Sequence, residues 1–299
     1  MTSFASRTVE HVMGFLEDKA GLDGKVAVVT GGAGGLGWPI ARDLARAGAH
    51  VAICDRDQAA LDTIAAEMAS FPVKPLLFHA DVREADQVDG FFAAIDERFG
   101  RVDILVNVPG GGFVAPLMQT KPKGWHAIIR QNFLYVLDTS QQAIRRMQAQ
   151  GTGGSIIFIT SIEAHRAVPN RAIYGAMKAA VTNLAKSLAL ELGADRIRVN
   201  TLAPDIFPTP ASGSDAPGLD PDLLALQQRM AVPMQAYGAG DDLTGCALFL
   251  ASDLSAYVTG TTLHCDGGTM ASSGWFDWPD AGWVNTPPAD TLAFLATPD

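Results

Sequence analysis

Apolar positions between residues 25 and 265 come in short runs separated by longer stretches of helical period. The runs fall near 25–30, 50–54, 75–79, 103–107, 154–160, 197–201 and 261–265, which predicts seven strands. Several are almost continuously apolar, as in Ser155-Ile156-Ile157-Phe158-Ile159. Such a strand suits a sheet covered on both faces, because side chains pointing either way are then buried. A helical stretch in each connection, the longest over 174–192, is the pattern of β-α-β units. The expected class is therefore α/β: a single doubly wound domain with a seven-stranded parallel sheet and helices on both faces.

Three regions depart from the alternation. Residues 1–22 read as an N-terminal extension holding a short amphipathic helix (Val9, Val12, Met13, Phe15, Leu16), and the catalytic domain is expected over 23–269. Within that domain, 205–233 is rich in Pro, Gly, Ser and Asp, with one helical piece near 221–231. A connection this long reads as a substrate loop or lid. Residues 270–299 form a tail carrying Trp275, Trp278 and Trp283, expected to pack on the domain or at a subunit interface rather than touch substrate.

Composition narrows the function classes. At 299 residues, 48% hydrophobic and 18% charged, the chain can bury a sizeable core. A net charge of −10 argues against nucleic acid or an anionic membrane as partner and leaves a small molecule. Cys54, Cys246 and Cys265 form no C-x-x-C, so neither a disulfide framework nor a metal site is expected, and a reducing cytoplasm fits. Arg7, Glu10, Glu17, Asp18 and Lys19 interrupt the N-terminal stretch, so no signal peptide is expected, and no apolar run is long enough to span a membrane.

The first candidate chemistry follows the first strand: Thr30-Gly31-Gly32-Ala33-Gly34-Gly35-Leu36-Gly37, then a helical stretch from Ile40. Glycines let backbone approach a pyrophosphate, and the helix behind them aims its amides at the anion. Two registers fit, Gly31/Gly35/Gly37 and Gly32/Gly34/Gly37. Asp55 ends the second strand, where an acid can accept the adenosine ribose hydroxyls and repel a 2′-phosphate. That favours NAD over NADP, although Arg56 beside it can attract the phosphate.

The second candidate is Tyr174-Gly175-Ala176-Met177-Lys178, at the start of the longest helix. An i,i+4 pair shares one helix face, so the phenol and the ammonium can reach one ligand. A cation near a phenol lowers its pKa toward working pH, which would make Tyr174 a general acid/base. Thr160-Ser161 closes the fifth strand, where parallel sheets place ligands, and Ser161 can donate to a substrate oxygen.

With these motifs on one chain, the sequence resembles the short-chain dehydrogenase/reductase family over roughly 22–269. Thr30–Gly37 matches the family's T-G-x-x-x-G-x-G cofactor motif, and Asp81-Val82 its adenine-contacting segment. Asn107-Val108-Pro109-Gly110 matches its N-N-A-G element at the first and last positions only, with Pro109 removing an amide donor. Asn132, Ser161, Tyr174 and Lys178 match its catalytic tetrad. Arg198-Val199-Asn200 matches the start of its sixth strand, and Asp266-Gly267-Gly268 the end of its seventh. The resemblance implies a single-domain Rossmann fold and a homotetramer. It implies Tyr174 as acid/base, Lys178 on the nicotinamide ribose, Ser161 polarising the carbonyl and Asn132 holding a relay water. Pro204, Ile206 and Thr209 would contact the nicotinamide end, Thr209 taking the carboxamide. Asp205 stands where the family has glycine, which adds an acid there.

Family pockets are lined by segments that correspond here to Gly111–Val114, Ile162–His165 and the 205–233 loop. Gly112, Phe113, Ile162 and Phe207 suggest a largely apolar pocket, in which Glu163 can bond a substrate hydroxyl. His165 reads as a loop residue. The expected function is NAD-dependent interconversion of a secondary alcohol and a ketone on a medium or bulky apolar substrate. A 3-oxoacyl-thioester reductase using NADPH is the alternative, and a non-catalytic cofactor-sensing protein a further one.

Overall fold

In the computed structural model, which describes residues 14–209 and 220–295, α1 (Phe15–Ala20) precedes β1 (Val26–Thr30). There follow α2 (Gly37–Arg46), β2 (His50–Asp55), α3 (Gln58–Glu67), β3 (Leu76–His79), α4 (Ala85–Arg98) and β4 (Ile104–Asn107). α5 (Pro122–Ile129) runs through a π-helical turn, Arg130–Leu134, into α6 (Tyr135–Gln150). Then come β5 (Gly154–Ile159), α7 (Ala172–Glu191), β6 (Ile197–Pro204), α8 (Pro221–Ala231), α9 (Gly240–Ala251) and β7 (Thr262–Cys265). Val9, Val12, Met13 and residues 210–219 of the expected substrate loop lie outside the described residues.

The seven strands form one sheet in the order β3-β2-β1-β4-β5-β6-β7, every neighbouring pair parallel. Strand alternation splits the core into two layers. Val26, Val28, Ile156 and Phe158 enter the layer under α4, α6 and α7. Ala27, Val29, Ile157 and Ile159 enter the layer under α2, α3 and α9. The apolar runs thus have a helix on each face, as their composition predicted. β6 runs past its expected end, because Leu202, Ala203 and Pro204 still pair with Leu263, His264 and Cys265. That extension brings Asp205 to the carboxyl edge of the sheet. Chain order reverses between β1 and β4, so the connections diverge there and leave a crevice at the strands' carboxyl ends.

Beyond β7 lie α10 (Thr269–Ser272), an antiparallel hairpin of β8 (Phe276–Trp278) and β9 (Gly282–Val284), and α11 (Ala289–Leu295). Asp277 ties the hairpin to α8: its Oδ2 accepts Arg229 Nε at 3.1 Å. Trp275 and Trp283, each half-exposed, wall an open apolar cavity of about 470 Å³ with Pro233, Gly268 and Ala271. Among the described residues, no helix is long and apolar enough to cross a membrane.

Candidate active site

The β1–α2 turn is shaped by what a side chain would hit. Gly31 and Gly35 sit at φ +61° and +51°, the left-handed region. A Cβ on Gly37 would lie 2.1 Å from the Gly31 carbonyl oxygen, while one on Gly34 would meet nothing within 4 Å. The turn is closed behind and open in front, and Leu36 caps α2 directly after it. Of the two registers, Gly31/Gly35/Gly37 requires glycine at each position, while Gly32/Gly34/Gly37 requires it at Gly32, where a Cβ would meet Ile53 at 2.8 Å, and at Gly37 but not at Gly34. The backbone of this turn thus forms a cradle open on one side. Asp55 Oδ2 accepts the Ala33 amide at 3.2 Å and Oδ1 the Asp57 amide at 3.1 Å, so the acid borders the cradle. Arg56 follows it, its carbonyl against His79 Nε2.

The remaining predicted cofactor residues gather along the same edge. Asp81 is held by Arg83, and Val82 is buried. Asn107 Oδ1 accepts the hydroxyls of Thr30 and Thr139 at 3.1 and 3.0 Å, while its buried Nδ2 has no protein partner. Pro109 packs against Gly31, and its carbonyl accepts the Tyr135 hydroxyl at 2.7 Å. Its ring therefore closes one wall of the cradle, and its carbonyl anchors the loop to α6. Pro204 ends β6, Ile206 accepts the Gly238 amide, and Thr209 Cγ2 is 3.9 Å from where a Gly35 Cβ would stand. The end of β6 thus returns to the glycine turn.

Asn132, Ser161, Tyr174 and Lys178 converge on this crevice. Asn132 occupies the π-helical turn, a distortion that re-aims a side chain out of regular helical register. Its Nδ2 donates to the Gly111 and Ile128 carbonyls and its Oδ1 accepts the Gly111 amide at 3.0 Å. The side chain is therefore committed to pinning the loop after β4. Lys178, 3% exposed, donates to the Ile159 carbonyl at 2.9 Å. A Cβ on Gly110 would lie 2.5 Å from Lys178 Nζ and 3.1 Å from Asn132 Oδ1, so only glycine leaves room there. Lys178 Nζ stands 5.8 Å from the Tyr174 ring centre. Ser161 Oγ donates to Glu163 Oε2, accepts the Glu163 amide at 3.2 Å and lies beside Tyr174.

Electrostatics here differ from the expectation that a cation would lower the tyrosine's pKa. Burial instead raises Tyr174, and the Glu163 and Asp205 carboxylates raise it further, with Ser161 and Arg171 opposing but not prevailing. Burial also lowers Lys178 to about 8, so the lysine itself is poised to titrate near neutrality.

The substrate-side residues separate. Phe113 is half-exposed and Gly112 packs on Ile128. Ile162, fully buried, and Phe207, 7% exposed against Gly238, belong to the interior and offer no open wall. Polar groups take their place. Arg166 Nη2 reaches Glu163 Oε1 at 3.3 Å and Asp205 Oδ1 at 3.4 Å, linking two carboxylates beside Ser161. The Asp205 side chain is 6% exposed and its Oδ2 has no hydrogen-bond partner. The Thr269 hydroxyl close to it is given to the Asp266 carbonyl at 2.8 Å. Desolvation pushes the Asp205 carboxyl up to about 6, with Arg166 opposing. The added acid at 205 is visible in the sequence, but Arg166 is marked by no motif. His165 stacks edge-on against His264, 4.8 Å between centroids, consistent with a packing role. Among the described residues, no group of three His, Cys, Asp or Glu side chains is arranged to hold a metal ion.

Similarities to known proteins agree with this geometry. A family model described as Enoyl-(Acyl carrier protein) reductase matches residues 31–270. The chain is 32% identical over 249 residues to the 3-oxoacyl-(acyl-carrier-protein) reductase of Thermotoga maritima, covering 83% of this chain and 99% of that one. It is 34% identical over 248 residues to the 3alpha-hydroxysteroid dehydrogenase of Mediterraneibacter gnavus, with 82% and 97% covered. Among solved structures, the gluconate 5-dehydrogenase of Burkholderia cenocepacia in complex with NADP and tartrate superposes with a TM-score of 0.79 at 35% identity, covering 86% of this chain and 99% of that one.

Proposed function

The chain belongs to the short-chain dehydrogenase/reductase family, oxidoreductases acting on CH–OH groups, and on that premise we propose that it is an NAD-dependent enzyme interconverting a secondary alcohol and a ketone. The observation that carries this reading is Tyr174 beside Ser161, with Lys178 Nζ 5.8 Å from its ring centre. When bound, the nicotinamide supplies the hydride acceptor for oxidation and the hydride donor for reduction. Tyr174 Oη takes the hydroxyl proton of the alcohol in one direction and returns it to the carbonyl oxygen in the other. Ser161 Oγ donates to that same oxygen and fixes its position. Lys178 would hold the ribose and, when protonated, would favour the phenolate. Asn132 holds the loop after β4 against this group.

The glycine cradle of Gly31, Gly34, Gly35, Leu36 and Gly37 would take the pyrophosphate, with Asp81, Val82, Asn107, Pro109 and Gly110 along the nucleotide. Pro204, Ile206 and Thr209 would border the nicotinamide. Asp55 supports NAD over NADP, because its carboxylate borders the cradle and would repel a 2′-phosphate. The substrate we assign is an alcohol with an alicyclic or comparably bulky apolar body, approaching past Gly112 and Phe113 and meeting Glu163 at its polar end. Similarity to the hydroxysteroid dehydrogenase supports an alicyclic carbinol. The same reading expects a cytoplasmic homotetramer, which sedimentation velocity checks.

Similarity to the Thermotoga maritima enzyme favours a second reading, an NADPH-dependent 3-oxoacyl-thioester reductase. Assaying secondary alcohols with NAD and NADP, beside 3-oxoacyl thioesters with NADH and NADPH, separates the two. NADH formed from alicyclic alcohols, with NAD preferred, is the expected result. NADPH-driven thioester reduction alone would replace the first reading with the second.

A further inference from the structure

Ser161 has one proton, and in this structure it is given to Glu163 Oε2. A serine so engaged cannot at the same time donate to a substrate oxygen. Glu163 is 14% exposed and is held in turn by Arg166, whose other contact is Asp205 Oδ1. Asp205, directly after β6, has a side chain more than nine-tenths buried and keeps Oδ2 without a partner. A buried carboxylate oxygen with no donor is costly, and a hydrogen-bond donor from a ligand would remove that cost. Two carboxylates therefore share Arg166, one occupied by the Ser161 hydroxyl and the other with an unpartnered oxygen.

The charge of the group decides what fits. An anionic substrate group would meet Glu163 and Asp205. A cationic one would meet Arg166, with Lys178 near by. A neutral hydroxyl satisfies a carboxylate without disturbing either. Because Glu163 Oε2 touches Ser161 Oγ, an alcohol oxygen bound to Ser161 carries the oxygen on its adjacent carbon to Glu163. We infer that this site selects substrates bearing a hydroxyl on the carbon next to the reacting one: that hydroxyl donates to Glu163 and releases Ser161 to the reacting oxygen. Glu163 is then the specificity-determining residue. Asp205 is a positioning residue, holding Arg166 against Glu163 and offering a second acceptor. The inference rests on the alcohol dehydrogenase reading and narrows its substrate class to vicinal diols and, in reverse, α-hydroxy ketones.

The test compares cis- and trans-cyclohexane-1,2-diol with cyclohexanol, and butane-2,3-diol with butan-2-ol, in wild type, Glu163→Gln and Asp205→Asn. A hydrogen bond to a charged acceptor predicts a preference in kcat/KM for the diol on the order of 10- to 100-fold in wild type. Glu163→Gln should remove most of that preference with opposite effects on the two substrates: the diol's kcat/KM falls, while the mono-alcohol's kcat rises because Ser161 is freed. Asp205→Asn should erode the preference mainly through KM for the diol. A structural defect would instead lower both substrates together. Turnover of mono-alcohols with no diol preference, or equal losses on both in Glu163→Gln, overturns the inference and leaves the alcohol dehydrogenase reading standing. Turnover of none of these alcohols by folded, NADH-binding protein overturns both.

Discussion

At the β1–α2 turn, a methyl group added to Gly37 would press on a backbone carbonyl at 2.1 Å. Across the crevice, at the end of β6, Asp205 buries a carboxylate oxygen that nothing answers. The first region is shaped mainly by glycine backbone and strand ends, with the Pro109 ring as one wall. The second is held by a chain of charges, from Ser161 through Glu163 and Arg166 to Asp205, drawn from separate segments. A backbone cradle serves any ligand with the same phosphate geometry. A charge chain is rearranged by what binds to it, so it is where selectivity among substrates can reside.

Substitutions sharpen that contrast. Apart from Tyr174 itself, the largest effect is expected at Lys178. Lys178→Met should lower kcat/KM by about 10²-fold or more, as removal of a proton-transfer partner does, and steady-state kinetics across pH checks it. Loss of less than threefold would detach the lysine from the chemistry. On the backbone side, Asp55→Ala should shift the NAD:NADP ratio of kcat/KM toward NADP by roughly 10- to 100-fold, the worth of a charge-assisted hydrogen bond. An unchanged ratio would transfer the preference to another residue. Gly37→Ala should weaken NADH binding about tenfold and lower Tm by several degrees, in line with about 1–3 kcal/mol for overpacking. Fluorescence titration and calorimetry measure the two.

The smallest effect belongs to the charge side. Folding raises the Asp205 carboxyl from 3.8 to about 6, so the fold favours its neutral form. Its stabilising contribution is full below pH 3.8 and is lost as pH rises through about 6. The Tm of wild type relative to Asp205→Asn should therefore fall by a few degrees between pH 5 and 7.5. A difference constant over that range would mean that Asp205 is no more protonated folded than unfolded.

The same contrast explains what is legible in the sequence. A strand buried on both faces is apolar at nearly every position, so the run Ile156–Ile159 declares a central place in the sheet by composition alone. Gly31 and Gly37 are legible because backbone that turns tightly tolerates no Cβ. Tyr174 and Lys178 are legible because one helix fixes their spacing. Arg166 is not, since its role depends on β6 running on to Pro204 and delivering Asp205 opposite. Nor is the burial of Ile162 and Phe207, because an apolar residue at a pocket's edge and one beneath its floor look the same in sequence. The π-helical turn that aims Asn132 is a fault in helical register that no periodicity of side chains records.

The central claim is that Tyr174 moves the proton of a carbinol whose carbon gives up hydride. It is tested most directly with a secondary alcohol deuterated at the carbinol carbon, incubated with NAD and either wild type or Tyr174→Phe, the cofactor being analysed by mass spectrometry. The account predicts deuterium in the NADH formed by wild type and a rate about 10²–10⁴-fold lower in the variant, the usual loss of a general acid/base. Unlabelled NADH, or a Tyr174→Phe enzyme as fast as wild type, would contradict it.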